Sequence, residues 1–205
     1  MELREALGQI AEIRQQMAQG EVFHGYRSLT VGAVGLMGIG AAIAQPYLVS
    51  SPADDLDAYL TLWIGVAAAA LLLVGLGSWL RVRSADSPMI RQSASMAAEL
   101  FLPSVAIGTL ATLGIYLGAP EVGWLLPGLW SLVYSLGVFA SYRKLPGQGF
   151  WLGVYFALCG FGCLIWGHGT HAFSPWQMGI PFGGGHLIAA ILLYRGLERN
   201  DESEE

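Results

Sequence analysis

Charge is what this sequence has least of. Asp, Glu, Lys and Arg make up 12% of its 205 residues, against roughly 25% in an average soluble domain. The stretches Ser28 to Val49 and Ala58 to Leu80 contain none of the four. Each is long enough to cross about 30 Å of hydrocarbon at about 1.5 Å per residue, so the solvent expected for most of the chain is lipid. A long hydrophilic stretch is missing too, which leaves no room for a separate soluble catalytic domain. Cysteine is nearly absent: Cys159 and Cys163 stand four apart with no CxxC and no CxxCH haem-attachment motif, and free cysteine packs as a small apolar residue. No P-loop, GxSxG or HExxH occurs, and no Ser or Asp pair of the membrane-protease kind lies in an apolar run, so catalysis is not expected. No basic, aromatic-interleaved stripe points to nucleic acid.

What is present divides at charged, proline and glycine breaks into six apolar segments, about 28–48, 58–80, 97–117, 123–141, 150–166 and 177–194. The expected fold is all-α: a polytopic membrane domain over 26–195, with six spans as three consecutive helical hairpins. All 10 Lys and Arg residues fall before the first span or after the second, fourth and sixth. The other three connectors hold Asp54, Asp55, Asp57, Glu121 and two histidines instead. Basic residues in short loops stay cytoplasmic, so both termini are expected inside, in a cell (inner) membrane. Tyr47, Tyr59, Trp124, Trp166 and Trp176 lie near the outer boundary of this threading, and Tyr26, Trp79, Tyr142, Trp151 and Tyr194 near the inner one, as an interfacial aromatic belt would. The segments WLLPGLWSLVYSLGVFASYR and WQMGIPFGGGHLIAAILLYR match in length, with Trp at one end, Tyr-Arg at the other and an early Pro. Such matching predicts serial repeats.

Residues 1–25 precede the first span. The chain opens MELREALGQIAEIRQQ, without the basic patch and short apolar core of a secretory signal, so the first apolar segment is expected to be retained. Leu3, Leu7, Ile10, Ile13 and Met17 recur at helical spacing, which predicts an amphipathic cytoplasmic helix over 2–19. Glutamate exceeds arginine there, so capping of the bundle or self-association into a homo-oligomer is expected over binding to anionic lipid. An acidic tail, 196–205, closes the chain.

In lipid the hydrophobic effect supplies little attraction between helices, so close backbone approach must supply it. Gly32, Gly35 and Gly38 recur every three residues in the first span, and Ser104, Gly108 and Thr112 every four in the third. These are read as packing seams. Pro103, Pro127 and Pro181 fall inside predicted spans, where each removes a backbone donor and should kink its helix.

The stretch GHGTHAFSPWQMGIPFGGGH, 167–186, carries three of the 4 histidines. His168 and His171 are within reach of each other in a helical turn. His186 lies about ten residues into the sixth span, some 12 to 15 Å deeper. Only unwinding between Pro181 and Gly185 would bring all three together. An imidazole at that depth should face the bundle interior and pair with something, so His186, with Pro181 and Gly184 at the break before it, is the candidate for ligand or proton contact. Glu99 is the one carboxylate inside a predicted span; it is near enough to the cytoplasmic boundary to pair with Arg91, Arg143 or Arg195, and a place on a proton path is the alternative expectation. His168 and His171 are the metal candidates, either with His186 around a haem or with Cys163 and Met178 around copper.

The first hairpin, GLMGIGAAIAQPYLV followed by YLTLWIGVAAAALLLVGLG, resembles the HdeD-like acid-resistance membrane proteins. The resemblance covers the first third of the chain and implies a six-span fold and an acid-stress role. From the residues themselves, the expected protein is a non-enzymatic structural or accessory component of the lipid bilayer, with no cofactor. The rival expectations are a small transporter or channel with a cavity near His186, and a haem- or copper-binding protein.

Overall fold

The computed structural model describes residues 28–84, 88–141 and 149–201, with side chains described for 28–79, 83, 99–141 and 149–195. The expected amphipathic helix over 2–19 lies outside those residues, as do Tyr26, Tyr142 and the end of the acidic tail. Among the described residues the chain is helical without strands, and six helices are long and apolar enough to cross a membrane. These are α1 (Ser28–Leu48), α2 (Leu56–Ser84), α3 (Pro88–Gly118), α4 (Leu126–Ser141), α5 (Gly149–Trp166) and α6. The last passes from an α-turn, Trp176–Met178, through a π-helical segment, Gly179–Gly184, into the regular helix Gly185–Asp201.

The ends of the helices follow their sequence. Asp55 caps α2 by accepting the Ala58 amide at 2.9 Å, which answers one of the orphan donors of a helix start. Pro127 was expected to kink the fourth span, but it sits in the first turn of α4, after a 3-10 turn spanning Pro120–Leu125. The missing donor is harmless at that position.

Around the bundle α1 packs on α2, α3 on α4, α4 on α5, α5 on α6, and α6 returns onto α1, while α2 and α3 touch only lightly. The tightest contacts, α4 with α5 and α1 with α6, rest on glycine. A Cβ on Gly128 would lie 3.0 Å from the Gly160 carbonyl oxygen, and one on Gly160 would lie 2.9 Å from that of Gly128. A Cβ on Gly35 would lie 2.9 Å from the Gly183 oxygen, and one on Gly38 would lie 3.0 Å from its nitrogen. The seam of α3 meets α4: Thr112 accepts the Trp130 indole N–H at 2.8 Å while donating to Gly108 O at 2.8 Å. Ser131 ties α4 to α5 by donating to Phe156 O at 2.8 Å.

The core lies toward the end of the bundle that carries the 167–175 loop. There Tyr59 is fully buried, its ring stacked 6.5 Å from Trp130 and edge-on to Phe173 at 4.8 Å. This departs from the interfacial position expected for Tyr59, because three aromatic neighbours enclose it. Of the other described members of the expected belt, Trp124 is half-buried against the core, and Tyr47, Trp79, Trp151, Trp166, Trp176 and Tyr194 are all more than half exposed. Leu71, Leu72 and Leu76 on α2 and Leu102, Leu110 and Leu117 on α3 are exposed as lipid-facing residues are.

Candidate functional site

The site is built on the irregularity in α6. In an α-helical ladder residue 181 would donate to Gln177 O, but proline has no amide to give. The backbone widens into a π turn over Gly179–Gly184 instead of breaking. Widened turns of this kind occur often at functional sites. The carbonyls it releases are answered from α5. The Cys163 thiol donates to Gln177 O at 3.6 Å, and the Tyr155 hydroxyl donates to Ile180 O at 2.7 Å. Cys163 is therefore a hydrogen-bonding partner of the proline segment as well as a small packing residue.

Three consecutive glycines follow because successive helix residues point about 100° apart and this segment is hemmed in on several sides. A Cβ on Gly183 would lie 2.6 Å from Ile39 of α1. On Gly184 it would meet the Tyr155 hydroxyl at 2.9 Å, and on Gly185 the Phe156 ring at 2.5 Å. The triplet lets α1 and α5 close on α6 together.

His186 stands immediately beyond, partly buried. Its Nδ1 is 2.6 Å from Phe182 O and its Nε2 is 3.0 Å from the Tyr134 hydroxyl. A carbonyl oxygen only accepts, so Nδ1 carries the proton, and Nε2 accepts from the Tyr134 O–H. Both ring nitrogens of a neutral imidazole are thus engaged. The Tyr134 ring centre lies 5.0 Å from Phe101, 4.6 Å from Phe156 and 5.4 Å from Phe182, so aromatic carbon fills the space beside the imidazole.

The other predicted residues lie elsewhere. His168 and His171 frame the 3-10 turn Gly169–His171 and are exposed. The His168 ring stands edge-on to Trp124 at 6.1 Å, and the His171 carbonyl accepts Gln177 Nε2 at 2.6 Å. The helix runs on through Pro181 without unwinding, so nothing draws His186 toward this turn. Among the described residues no three His, Cys, Asp or Glu side chains stand together as a metal ion would need. Met178 is buried in the core. Glu99 is exposed on α3.

Sequence reasoning passed over a second polar constellation. Gln45 is 1% exposed, accepts the Trp63 indole N–H at 2.9 Å and donates to Phe173 O at 2.8 Å. It joins α1, α2 and the loop before α6. Phe173 has a φ of 57°, a left-handed conformation that costs a bulky residue on the order of 1 kcal/mol or more. The Gln45 bond and the aromatic packing hold it there. The available signal was a lone amide in an apolar run, just before Pro46.

Comparison of the chain with protein-family models, with curated proteins and with solved structures finds no match in any of the three. The functional reading therefore rests on the site itself.

Proposed function

We propose that this protein is a non-enzymatic structural or accessory component of the inner membrane, a packed six-span bundle whose buried histidine holds helices together. The observation that carries the reading is the engagement of both His186 nitrogens by Tyr134 and Phe182 inside an aromatic cluster. A neutral imidazole with both nitrogens used has no free position for a substrate or a transferable proton. The test is reconstitution into vesicles with His186→Ala beside the unaltered protein. Equal ion and solute leak, with a lower unfolding temperature in detergent for the variant, is the expected result. Flux that the unaltered protein supports and the variant loses would overturn the reading in favour of a transporter. That second reading draws on the π-helical turn at Pro181, since irregular backbone in a membrane span is a device of substrate sites.

The finer organisation belongs to the same proposal: three consecutive hairpins, an amphipathic N-terminal helix, and both termini in the cytoplasm. The confinement of all 10 Lys and Arg residues to alternate connectors supports the orientation. An acid-stress role, which the HdeD-like resemblance implies, is tested separately by low-pH survival of cells lacking the chain. A Soret band or stoichiometric copper in the purified protein would establish the haem or copper alternative at His168 and His171.

A further inference from the structure

Beside the π turn, the outer ends of α5 and α6 leave a groove of about 420 Å³, open on one side and walled by Cys159, Cys163, Gly162, Trp166, Gln177 and Ile180. That volume is within the range of small-ligand sites, roughly 300–1,000 Å³. The exposed rings of Trp166 and Trp176 flank it, and Ile180 is more than half exposed, so it opens sideways from the bundle, where lipid would lie. From the level of Trp166 it descends to Cys159, seven residues down α5, or about 10 Å into the hydrocarbon. The wall is mostly apolar, and its polar side chains are the exposed His171, the half-buried Ser174 and the buried Gln177. Gln177 is 9% exposed, and its Oε1 is buried without a hydrogen-bond partner, although its Nε2 is used by His171 O. An amide oxygen only accepts, and leaving it unpaired away from water costs on the order of 1–3 kcal/mol.

We infer that this groove binds a neutral membrane lipid whose head group is a free hydroxyl. No Lys or Arg lines the groove, so it holds no permanent positive charge to neutralise a phosphate or carboxylate. The unpaired acceptor at Gln177 asks for a donor. A hydroxyl supplies one without bringing a charge, and a hydrocarbon chain below it matches the apolar wall that runs from Cys163 to Cys159. The Gln177 oxygen is covered by its neighbours, so the head group reaches it by displacing flanking side chains, for which the exposed Trp166 and Trp176 rings have room. The inference does not depend on His186.

The test is photolabelling of the full chain in phosphatidylcholine nanodiscs with a diazirine-bearing hexadecanol, against its methyl ether, which keeps the chain and the ether oxygen but loses the donor. Label from the alcohol is expected on the peptides that carry 159–166 and 176–181. The ether should label about five-fold less, the scale of one hydrogen bond. Gln177→Leu should reduce the alcohol to the level of the ether. Gly162→Trp, which fills the groove from a position 3.3 Å from the Trp166 ring, should remove both labels and keeps the test decisive if Gln177→Leu does not fold. Equal labelling by alcohol and ether, or label spread evenly over all six spans, would overturn the inference and leave the groove as ordinary lipid-facing surface.

Discussion

At the scale of single residues, Tyr134, His186 and Gln45 each complete specific pairs inside this bundle, and their removal should show it. Tyr134→Phe takes away the donor to His186 Nε2 while keeping the ring among Phe101, Phe156 and Phe182. The expected loss is about 1 kcal/mol, as for other hydrogen bonds between membrane helices, read as a lower unfolding midpoint in detergent. Gln45→Leu is the harsher change, because it strands both the Trp63 N–H and the Phe173 carbonyl in the core. Each stranded group costs on the order of 1–3 kcal/mol, so this variant should be the less stable of the two by the same measurement. Phe173 would then lack the bond that holds its carbonyl, and protease cleavage within 167–175 should become faster.

At the scale of elements, the π turn of α6 is a joint product of α6 and α5, and two paired substitutions expose the coupling. Pro181→Ala restores an amide that can reach Gln177 O, the oxygen now served by the Cys163 thiol. Cys163→Ala should therefore cost more in the natural background than beside Pro181→Ala, a non-additivity of about 0.5 kcal/mol or more in a double-mutant cycle. Equal costs would mean that the thiol contributes nothing to the turn. Gly184→Ala places a methyl 2.9 Å from the Tyr155 hydroxyl, a crowding worth about 1–3 kcal/mol. Tyr155→Phe removes the atom that is struck, so it should recover part of the loss even though it gives up the bond to Ile180 O.

At the scale of the whole molecule, the proposed threading makes a prediction about sidedness. Reporter fusions after residues 52, 120 and 170 should read outside, and those after 88 and 146 inside; one reversed loop would break the proposed orientation. The six spans themselves were legible without coordinates, their ends outside 79–99 falling within about three residues of the apolar windows, because bilayer thickness sets the length of an uncharged run. Packing seams were legible in part. Gly35 and Gly38 of α1 do meet a partner, and Thr112 and Gly108 do lie toward α4, since small residues at helical spacing leave few other uses in lipid. The histidines were legible only as a question. Depth along α6 separates His186 from His168 and His171, and depth follows from counting residues.

Which groups meet across the bundle depends on helices far apart in the chain. Tyr134 and His186 are 52 positions apart, and Gln45 and Phe173 are 128 apart. Local patterning carries no record of such pairs. It reports the face a residue occupies along its own helix, whereas the partner depends on how the helices rotate and settle against one another. The same reason explains Tyr59, which reads as an interfacial aromatic from its place in the chain yet is buried, since only the arrival of Trp130 and Phe173 encloses it. Hydrophobic length and the spacing of small residues therefore determined the spans and several of their seams, because those answer to the bilayer and to helical periodicity alone. Tertiary structure decided that Pro181 widens α6 instead of breaking it, that Cys163 and Tyr155 satisfy the widened turn, and that Gln177 faces a groove with one oxygen unpaired. Those outcomes depend on side chains brought from other helices, and a single strand of sequence does not say which will arrive.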